Sequence, residues 1–433
     1  MLAQLLNRPG QALFNVTGFC LVFCYGLLSW MSRDEAPIAY SLFAGLWLLG
    51  FLGSLLAAWV ARKHSVSFGQ VMFWCILVRA ILLSGDPVYE DDYYRYLWDG
   101  KQTVEAGSPY LKAPSTFFDT DQEPHWETIL GEINNPDLPT IYGPVNQYLF
   151  ALAHLVDPGQ VWPIQLALAV LDLLIIVILS RLAGLSSVVL YGFSPLILKE
   201  FTLTAHPDLL AVFPMLLAVW FWKKANVYAA AAALAFAVSA KLFAFLLVPL
   251  LLLWHWKAWL LFMVTVLALH APLANVLGQI ESLQAMAGAW LFNAPLYYLT
   301  YQYLDFDGVK LASGLLFVAG CAGYFFFSPY HRQQPPQIPR GDWLFMAFLL
   351  VSPVFNAWYF VFVLVFAVIY PSVWAWTASL MLVLAYATGL QLHGLDLEAY
   401  EQPVWVILLE FATIAAAALI PWRRFFGVLH SKK

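Results

Sequence analysis

Long, nearly uncharged apolar runs follow one another along this chain, and they constrain its fold more than any other feature. Hydrophobic residues make up 62% of the 433 residues, and charged residues only 11%. A bilayer is spanned by about 20 apolar helical residues, and only helices and closed barrels satisfy the backbone inside it. The runs are continuous and lack the alternation of barrel strands. The sequence therefore predicts an all-α polytopic membrane protein.

The apolar runs define the candidate transmembrane helices. Two of them, 226–254 and 343–370, are long and have interior breaks, at Ser239 to Lys241 and at Ser352-Pro353, so the expected total is 12 to 14. The candidate spans are residues 11–31, 38–61, 68–84, 160–182, 186–200, 207–222, 226–254, 257–275, 309–328, 343–370, 373–391 and 404–422. No soluble domain interrupts them, so residues 1–433 are expected to form a single transmembrane domain.

The distribution of Lys and Arg predicts the orientation. Most of these residues fall in alternate loops, which are cytoplasmic by the positive-inside rule. They are Arg8, Arg62, Lys63, Arg181, Lys223, Lys224, Lys257, Arg332, Arg340, Arg423, Arg424, Lys432 and Lys433. Both termini are then cytoplasmic, and two large loops, 85–159 and 275–308, lie outside. The short run 142–156 is expected to be an outer juxtamembrane helix, because counting it as a span would invert every later loop.

The acid-rich segment, residues 85–110, concentrates ionisable side chains in a chain that has few. Its sequence is GDPVYEDDYYRYLWDGKQTVEAGSPY. The acid pair Asp91 and Asp92 lies one helical turn or less from Arg95, with Tyr96 and Trp98 among the surrounding aromatic residues. This combination is typical of a general base beside a sugar, held between aromatic walls. The alternative is a solvated interfacial helix whose aromatic residues form a membrane belt.

Further polar residues stand at the predicted outer ends of spans. Lys199, His206 and Lys241 are suited to bind a lipid-linked phosphate, and Asp208 lies beside them. Because charges are costly at membrane depth, several at one level indicate a shared aqueous cavity, although snorkelling to the headgroups is the alternative.

A later motif, SPVFNAWYF, places three more polar or aromatic groups near the same predicted level. Asn356, Trp358 and Tyr359 would stack on a sugar or contact a headgroup, or else belong to an aromatic belt.

Several common chemistries leave no signal in the sequence. There is no Gly-rich phosphate loop, HExxH, GxSxG or CxxC motif, and no basic run suited to nucleic acid. No cofactor is predicted with certainty, and a divalent cation bound by Asp91 is left open.

The order of these motifs resembles the GT-C superfamily of membrane glycosyltransferases, which use polyprenyl-phosphate sugars, and most closely its bacterial mannosyltransferase-like branch. The resemblance rests on Asp91-Asp92, on RYLWDG continuing to GSPY, and on YGPV opening a short helix. It continues with HPD at 206–208, Lys241 in a broken hairpin, and NAWY at 356–359.

The resemblance implies a GT-C-like bundle in a bacterial inner membrane, with a periplasmic active site. A hexose, with mannose favoured, would be transferred with inversion to a hydroxyl of a glycan, glycolipid or protein. Asp92 would be the general base, with Asp91 as its rival. The donor phosphate would contact Arg95, Lys241, His206 and Lys199. The substrates would contact Tyr96, Trp98, Tyr142, Asn146, Asp208, Asn356, Trp358 and Tyr359.

A lipid-linked-sugar flippase or transporter is the alternative from another class. Such a protein would carry charges through the membrane depth, whereas those of this chain concentrate at one predicted face.

Overall fold

The computed structural model describes residues 9–34, 36–273, 275, 277–300, 303–327, 337–392 and 395–421. Across these ranges the regular structure is helical, and the one β-type pairing is a bridge between Phe292 and Val354. The predicted all-α class is therefore confirmed. Both predicted cytoplasmic termini, with Arg8, Arg423, Arg424, Lys432 and Lys433, lie outside the described residues, as does Arg332.

Twenty α-helices are present within the described ranges. They are α1 Pro9–Met31, α2 Tyr40–Lys63, α3 Phe68–Leu82, α4 Asp92–Glu105, α5 Pro124–Gly131, α6 Pro144–Val156, α7 Trp162–Leu182, α8 Leu185–Gly192, α9 Pro195–Ile197, α10 Leu209–Lys223, α11 Val227–Ala240, α12 Val248–Leu252, α13 Trp256–His270, α14 Leu277–Ala289, α15 Pro295–Thr300, α16 Phe306–Phe327, α17 Gly341–Val351, α18 Val361–Ile369, α19 Val373–Met381 and α20 Val404–Ala418. A π-helix covers Leu198–Leu203, and 3₁₀ turns cover Pro114–Phe117, Leu242–Leu247, Ala357–Phe360 and Leu382–Tyr386.

Four of the helices, α1, α2, α7 and α16, are long and apolar enough to cross a membrane. They contain 21 to 24 residues, which at 1.5 Å per residue matches the bilayer core of about 30 Å. Nine shorter apolar helical segments accompany them. The chain is therefore a polytopic membrane protein, while the total of 12 to 14 spans stays a prediction.

Both predicted breaks occur. Helix α11 ends at Ala240, and Lys241 is extended, with φ −146° and ψ 125°. Helix α17 ends at Val351, and a non-helical stretch containing Pro353 precedes the 3₁₀ turn that leads into α18. The predicted continuous span 186–200 is wrong, because α8 ends at Gly192 and Pro195 starts a new turn before the π-helix. Proline lacks the amide hydrogen that would continue the first helix.

The predicted loop 85–159 folds into three helices, α4, α5 and α6. Helix α4 begins at Asp92, directly after Asp91 of the acid pair. It packs closely against α6, since a Cβ at Gly100 would collide with the carbonyl oxygen of Phe150. Helix α6 has 13 residues, about 20 Å, which is too short for a span. Its expected location on the membrane surface stays a prediction.

A continuous core of buried apolar side chains joins helices from α1 to α20. A smaller cluster surrounds Tyr297 and Val309. Inside the main core, Arg79 of α3 pairs with Asp172 of α7 at 2.5 Å, and the Tyr191 hydroxyl donates to the same carboxylate at 2.8 Å. Because both charges are compensated, this buried pair fixes α3 against α7 without leaving an unsatisfied ion.

Candidate active site

A cavity of about 500 Å³ opens where α4, the end of α11, the segment before α18, the segment 385–391 and Tyr400 meet. We call it the acidic cavity. Its lining includes nine of the residues singled out from the sequence: Asp91, Asp92, Tyr96, Tyr142, Asp208, Lys241, Asn356, Trp358 and Tyr359. These residues are more than 260 positions apart at the extremes, so the fold, rather than local sequence, creates the site.

Asp92 is the first residue of α4, and its carboxylate is 29% exposed in the cavity. A negative charge is favourable at that end of a helix. The Tyr142 hydroxyl donates to Oδ2 at 3.1 Å and also lies 3.4 Å from the Tyr96 hydroxyl. Tyr96 in turn stacks on Phe150, with ring centroids 4.8 Å apart, which fixes the position of this pair of tyrosines. Asp92 is therefore held on one side and open on the other.

Both carboxylate oxygens of Asp91 accept hydrogen bonds from the protein, unlike those of Asp92. The Asn134 amide donates to Oδ1, and the Tyr400 hydroxyl donates to Oδ2 at 3.0 Å. Burial and the neighbouring charge of Asp92 raise the pKa of this carboxyl above its ordinary value. The lone pairs that would accept a substrate proton thus already accept protein hydrogen bonds.

Arg95 turns away from the carboxylates. Its guanidinium donates to the carbonyl oxygens of Asn134, Asn135 and Leu138 at 3.0, 2.9 and 3.1 Å. The side chain is 8% exposed and does not line the cavity. It clamps the segment that carries the Asn134 partner of Asp91.

Lys241 lies at the break after α11, where its extended backbone directs the side chain into the cavity. Nζ is 2.9 Å from Oδ1 of Asp208 and 4.3 Å from the centre of the Tyr359 ring. The side chain is 19% exposed, so part of the ammonium faces the cavity. Its position is set by an ion pair and a cation–π contact together.

Two residues of the YGPVN motif secure that break. A Cβ at Gly143 would collide with the carbonyl oxygen of Ser239, so only glycine permits this approach. Asn146 donates from Nδ2 to the carbonyl oxygen of Ala240 at 2.9 Å. Asn146 thereby satisfies a carbonyl at the end of α11 and does not line the cavity.

His206 is buried directly behind two lining residues, Asp92 and Trp358. Its ring stacks on Trp358, with centroids 3.9 Å apart and an interplanar angle of 12°. Nε2 is 3.9 Å from Oδ2 of Asp92, and Nδ1 is 3.0 Å from Oε2 of Glu200. Lys199 lies one layer deeper, where Nζ contacts Glu200 at 3.2 Å and donates to the Tyr386 hydroxyl at 3.1 Å.

Trp98 is also outside the cavity. Its indole is buried between Phe117 and Trp126, at centroid distances of 5.3 and 6.4 Å. Five of the fourteen residues singled out from the sequence (Arg95, Trp98, Asn146, Lys199 and His206) therefore lie behind the cavity lining, and His206 is next to the lining residues Asp92 and Trp358.

Sequence reasoning missed several lining residues. Glu90 lines the cavity, and burial raises the pKa of its carboxyl well above the ordinary value. Because Glu90 directly precedes the acid pair in the sequence, its position could have indicated that it lies at the site. Tyr386 and Tyr400 also line the cavity, but no sequence signal connects them with residues about 300 positions earlier. Across the described residues, no group of three or more His, Cys, Asp or Glu side chains has the arrangement to hold a metal ion.

Apolar helices around a polar cavity, with an open carboxylate facing a partly exposed lysine, define an integral membrane protein with a binding site for a polar or charged substrate. No curated protein and no solved structure matches the chain. The model of the MptA_B family, described as alpha-(1->6)-mannopyranosyltransferase, N-terminal domain, matches residues 21–258. This is more than half of the 433 residues, and the chain belongs to that family. It is a glycosyltransferase of the mannosyltransferase type.

Proposed function

We propose that the protein transfers mannose from a polyprenyl-phosphate donor to an acceptor hydroxyl, with inversion and with Asp92 as the general base. The observation that carries this proposal is the placement of an open carboxylate, Asp92, and a partly exposed ammonium, Lys241, on the same cavity. The carboxylate of Asp92 can accept the proton of an acceptor hydroxyl, and the ammonium of Lys241 can stabilise the negative charge that develops on the donor phosphate.

Asp92 is preferred to Asp91 on geometric grounds. A general base must reach the proton that it removes. Oδ2 of Asp92 accepts one hydrogen bond, from Tyr142, whereas both oxygens of Asp91 accept bonds from the protein. Asp91 then positions the base and the loop around it. Its contact with Tyr400 also connects the acid pair to the segment before α20.

Lys241 is the proposed ligand of the donor phosphate. As the bond from the sugar to the phosphate oxygen breaks, charge develops on that oxygen, and a fixed ammonium stabilises it. The leaving phosphate needs no protonation, so a single carboxylate base is sufficient, in contrast to the two carboxylates of glycosidases. Asp208 and Tyr359 hold the lysine in place before substrate arrives.

The aromatic residues Tyr142, Trp358 and Tyr359 offer amphipathic faces for the sugars. With the predicted orientation, the whole chain forms one transmembrane domain whose cavity lies at the outer, periplasmic face of a bacterial inner membrane. The acceptor hydroxyl belongs to a glycan, a glycolipid or a protein.

Purified protein in lipid nanodiscs tests this function directly. Incubation with polyprenyl-phosphate mannose and a mannoside acceptor is expected to release polyprenyl phosphate and to yield an inverted linkage by NMR. Asp92→Asn should lower turnover by about 10²- to 10⁴-fold. Asp121→Asn is the matched control, since this acid is exposed and outside the cavity.

Undiminished turnover in Asp92→Asn would refute the assignment of the base. If Asp91→Asn alone abolished turnover, the two acids would exchange roles. Movement of a lipid-linked sugar across vesicle membranes without any transfer would instead identify a flippase.

A further inference from the structure

We propose that His206 is a proton-relay residue, which accepts from Asp92 the proton that Asp92 removes from the acceptor hydroxyl. This inference rests on the proposed function. It goes beyond that function because it assigns the proton a destination inside the protein and gives a role to Glu200 and Lys199, which are buried and do not line the cavity.

The ring nitrogens of His206 face two carboxylates. Nδ1 lies 3.0 Å from Oε2 of Glu200, and Nε2 lies 3.9 Å from Oδ2 of Asp92. A carboxylate beside Nδ1 favours the tautomer that carries its hydrogen there. Nε2, the ring nitrogen nearer to Asp92, then carries the lone pair, and it has no hydrogen-bond partner among the described residues. A neutral imidazole nitrogen with a free lone pair can accept a proton from a protonated carboxyl.

The positive charge that His206 gains with the proton is compensated by carboxylates that are already in place. Glu200 is fully buried, and Lys199 holds one of its oxygens at 3.2 Å. Lys199 donates in turn to the Tyr386 hydroxyl at 3.1 Å and lies 4.2 Å from the centre of that ring. The buried pair alone is neutral, and the imidazolium would be matched by Asp92 once its carboxylate is regenerated. A buried charge without such partners would be costly.

The ring is also held against rotation. It stacks on Trp358 at 3.9 Å, and the side chain of His206 is 1% exposed. The 3.9 Å separation from Asp92 must shorten by about 1 Å for proton transfer, and such contacts commonly tighten when substrate binds. The groups that face the ring or its carboxylates are Asp92, Glu200 and Lys199, with Asp208 two residues further along and Glu90 nearby on the cavity wall.

The acceptor oxygen forms a bond to the anomeric carbon and gives its proton to Asp92, while the electron pair of the breaking carbon–oxygen bond leaves with the polyprenyl phosphate. Asp92 passes the proton to Nε2 of His206 and becomes a carboxylate again. After the products leave, the proton returns through Asp92 to water in the cavity.

The alternative role for His206 is direct contact with the donor phosphate, as the sequence predicts. The two roles affect different quantities. A relay residue determines kcat and its dependence on pH, whereas a phosphate ligand determines donor affinity.

The test compares wild type, His206→Asn and His206→Ala in nanodiscs. Asparagine retains a polar contact with Glu200 but cannot accept the proton. The relay predicts a kcat about 10- to 100-fold lower, loss of one ionisation from the pH profile of kcat, and donor affinity within about two-fold of wild type. Added imidazole, which fits between Trp358 and the two carboxylates, should partly restore kcat in His206→Ala. His255→Asn is the control, because His255 is exposed and outside the cavity.

Unchanged kcat in His206→Asn would overturn the relay, and so would weakened donor binding with the same pH profile. If His206→Ala does not fold, as judged by thermal unfolding, the pH profile of His206→Asn decides alone. Failure of the proposed function can be distinguished from failure of the relay. In the former case the wild type would show no mannose transfer, or Asp92→Asn would remain active.

Discussion

The substitution Arg95→Lys tests whether Arg95 holds the segment 134–138 in place or contacts the donor phosphate. Its acidic sequence neighbours predict an ion pair with a carboxylate, and the family resemblance implies a contact with the donor phosphate. The guanidinium instead donates to three main-chain carbonyl oxygens, at 2.9 to 3.1 Å, in the segment 134–138. The loss of stability in Arg95→Lys can therefore be calculated from the number of hydrogen bonds lost. Lysine is charged and similar in length but lacks the planar fork, so it can replace one of these bonds and not all three.

Hydrogen bonds from charged donors contribute about 1.5–3 kcal/mol each, and the side chain is 8% exposed. Loss of two bonds, partly offset by local relaxation, should cost roughly 2–4 kcal/mol. The measurement is thermal or denaturant unfolding in nanodiscs, followed by the Trp emission. Arg181→Lys is the matched control, because Arg181 is exposed at the end of α7.

Donor affinity provides the second measurement. Arg95→Lys should bind the donor within about three-fold of wild type when assayed well below its unfolding temperature, because Arg95 does not line the cavity. Unchanged stability together with much weaker donor binding would refute this reasoning and restore Arg95 as a phosphate ligand.

Three further substitutions have definite expected outcomes. Burial raises the pKa of Asp99 from about 3.8 to about 6, so wild type loses stability relative to Asp99→Asn as pH rises from 4 to 7, by roughly 3 kcal/mol in unfolding measurements. A wild type that instead gained stability relative to Asp99→Asn over this pH range would contradict this prediction. Lys241→Met should weaken donor binding about 10- to 100-fold in titrations, with equal binding counting against the proposed phosphate site. Tyr142→Phe removes the bond to Asp92 and should lower kcat about 10-fold without altering donor affinity.

The overall class and several local features could be predicted from the sequence because they depend on short-range patterns. Apolar length predicts membrane helices, and the interruptions before Lys241 and at Ser352-Pro353 predict broken ones. The acid pair was visible for the same reason, since a cluster of carboxylates stands out in an apolar chain. These features require no knowledge of which helices are neighbours.

The partners of the site residues could not be predicted in the same way. The hydrogen bond from Tyr400 to Asp91 joins residues 309 positions apart, and that from Lys199 to Tyr386 joins residues 187 apart. The partners of Arg95 were equally unpredictable. Helical spacing predicts which acids lie near its side chain, but it does not predict that main-chain carbonyl oxygens accept its hydrogen bonds instead. Such pairings follow from tertiary packing.

Backbone conformation adds a physical reason to connect the irregular segments with function. Six non-glycine residues of the described ranges lie in the left-handed region: Tyr89, Asn135, Ala205, Ala225, Asn275 and Asn293, with φ of 62°, 48°, 64°, 57°, 58° and 46°. Asparagine tolerates this region, but tyrosine and alanine do so at a cost of about 1–2 kcal/mol. Tyr89 comes two residues before the acid pair, and Ala205 immediately precedes His206. Ala225 lies between α10 and α11, outside the acidic cavity, so this conformation is not confined to the site. At Tyr89 and Ala205, however, a continuous helix would direct the acid pair and His206 elsewhere, so these two conformations help to set the geometry of the proposed proton transfer.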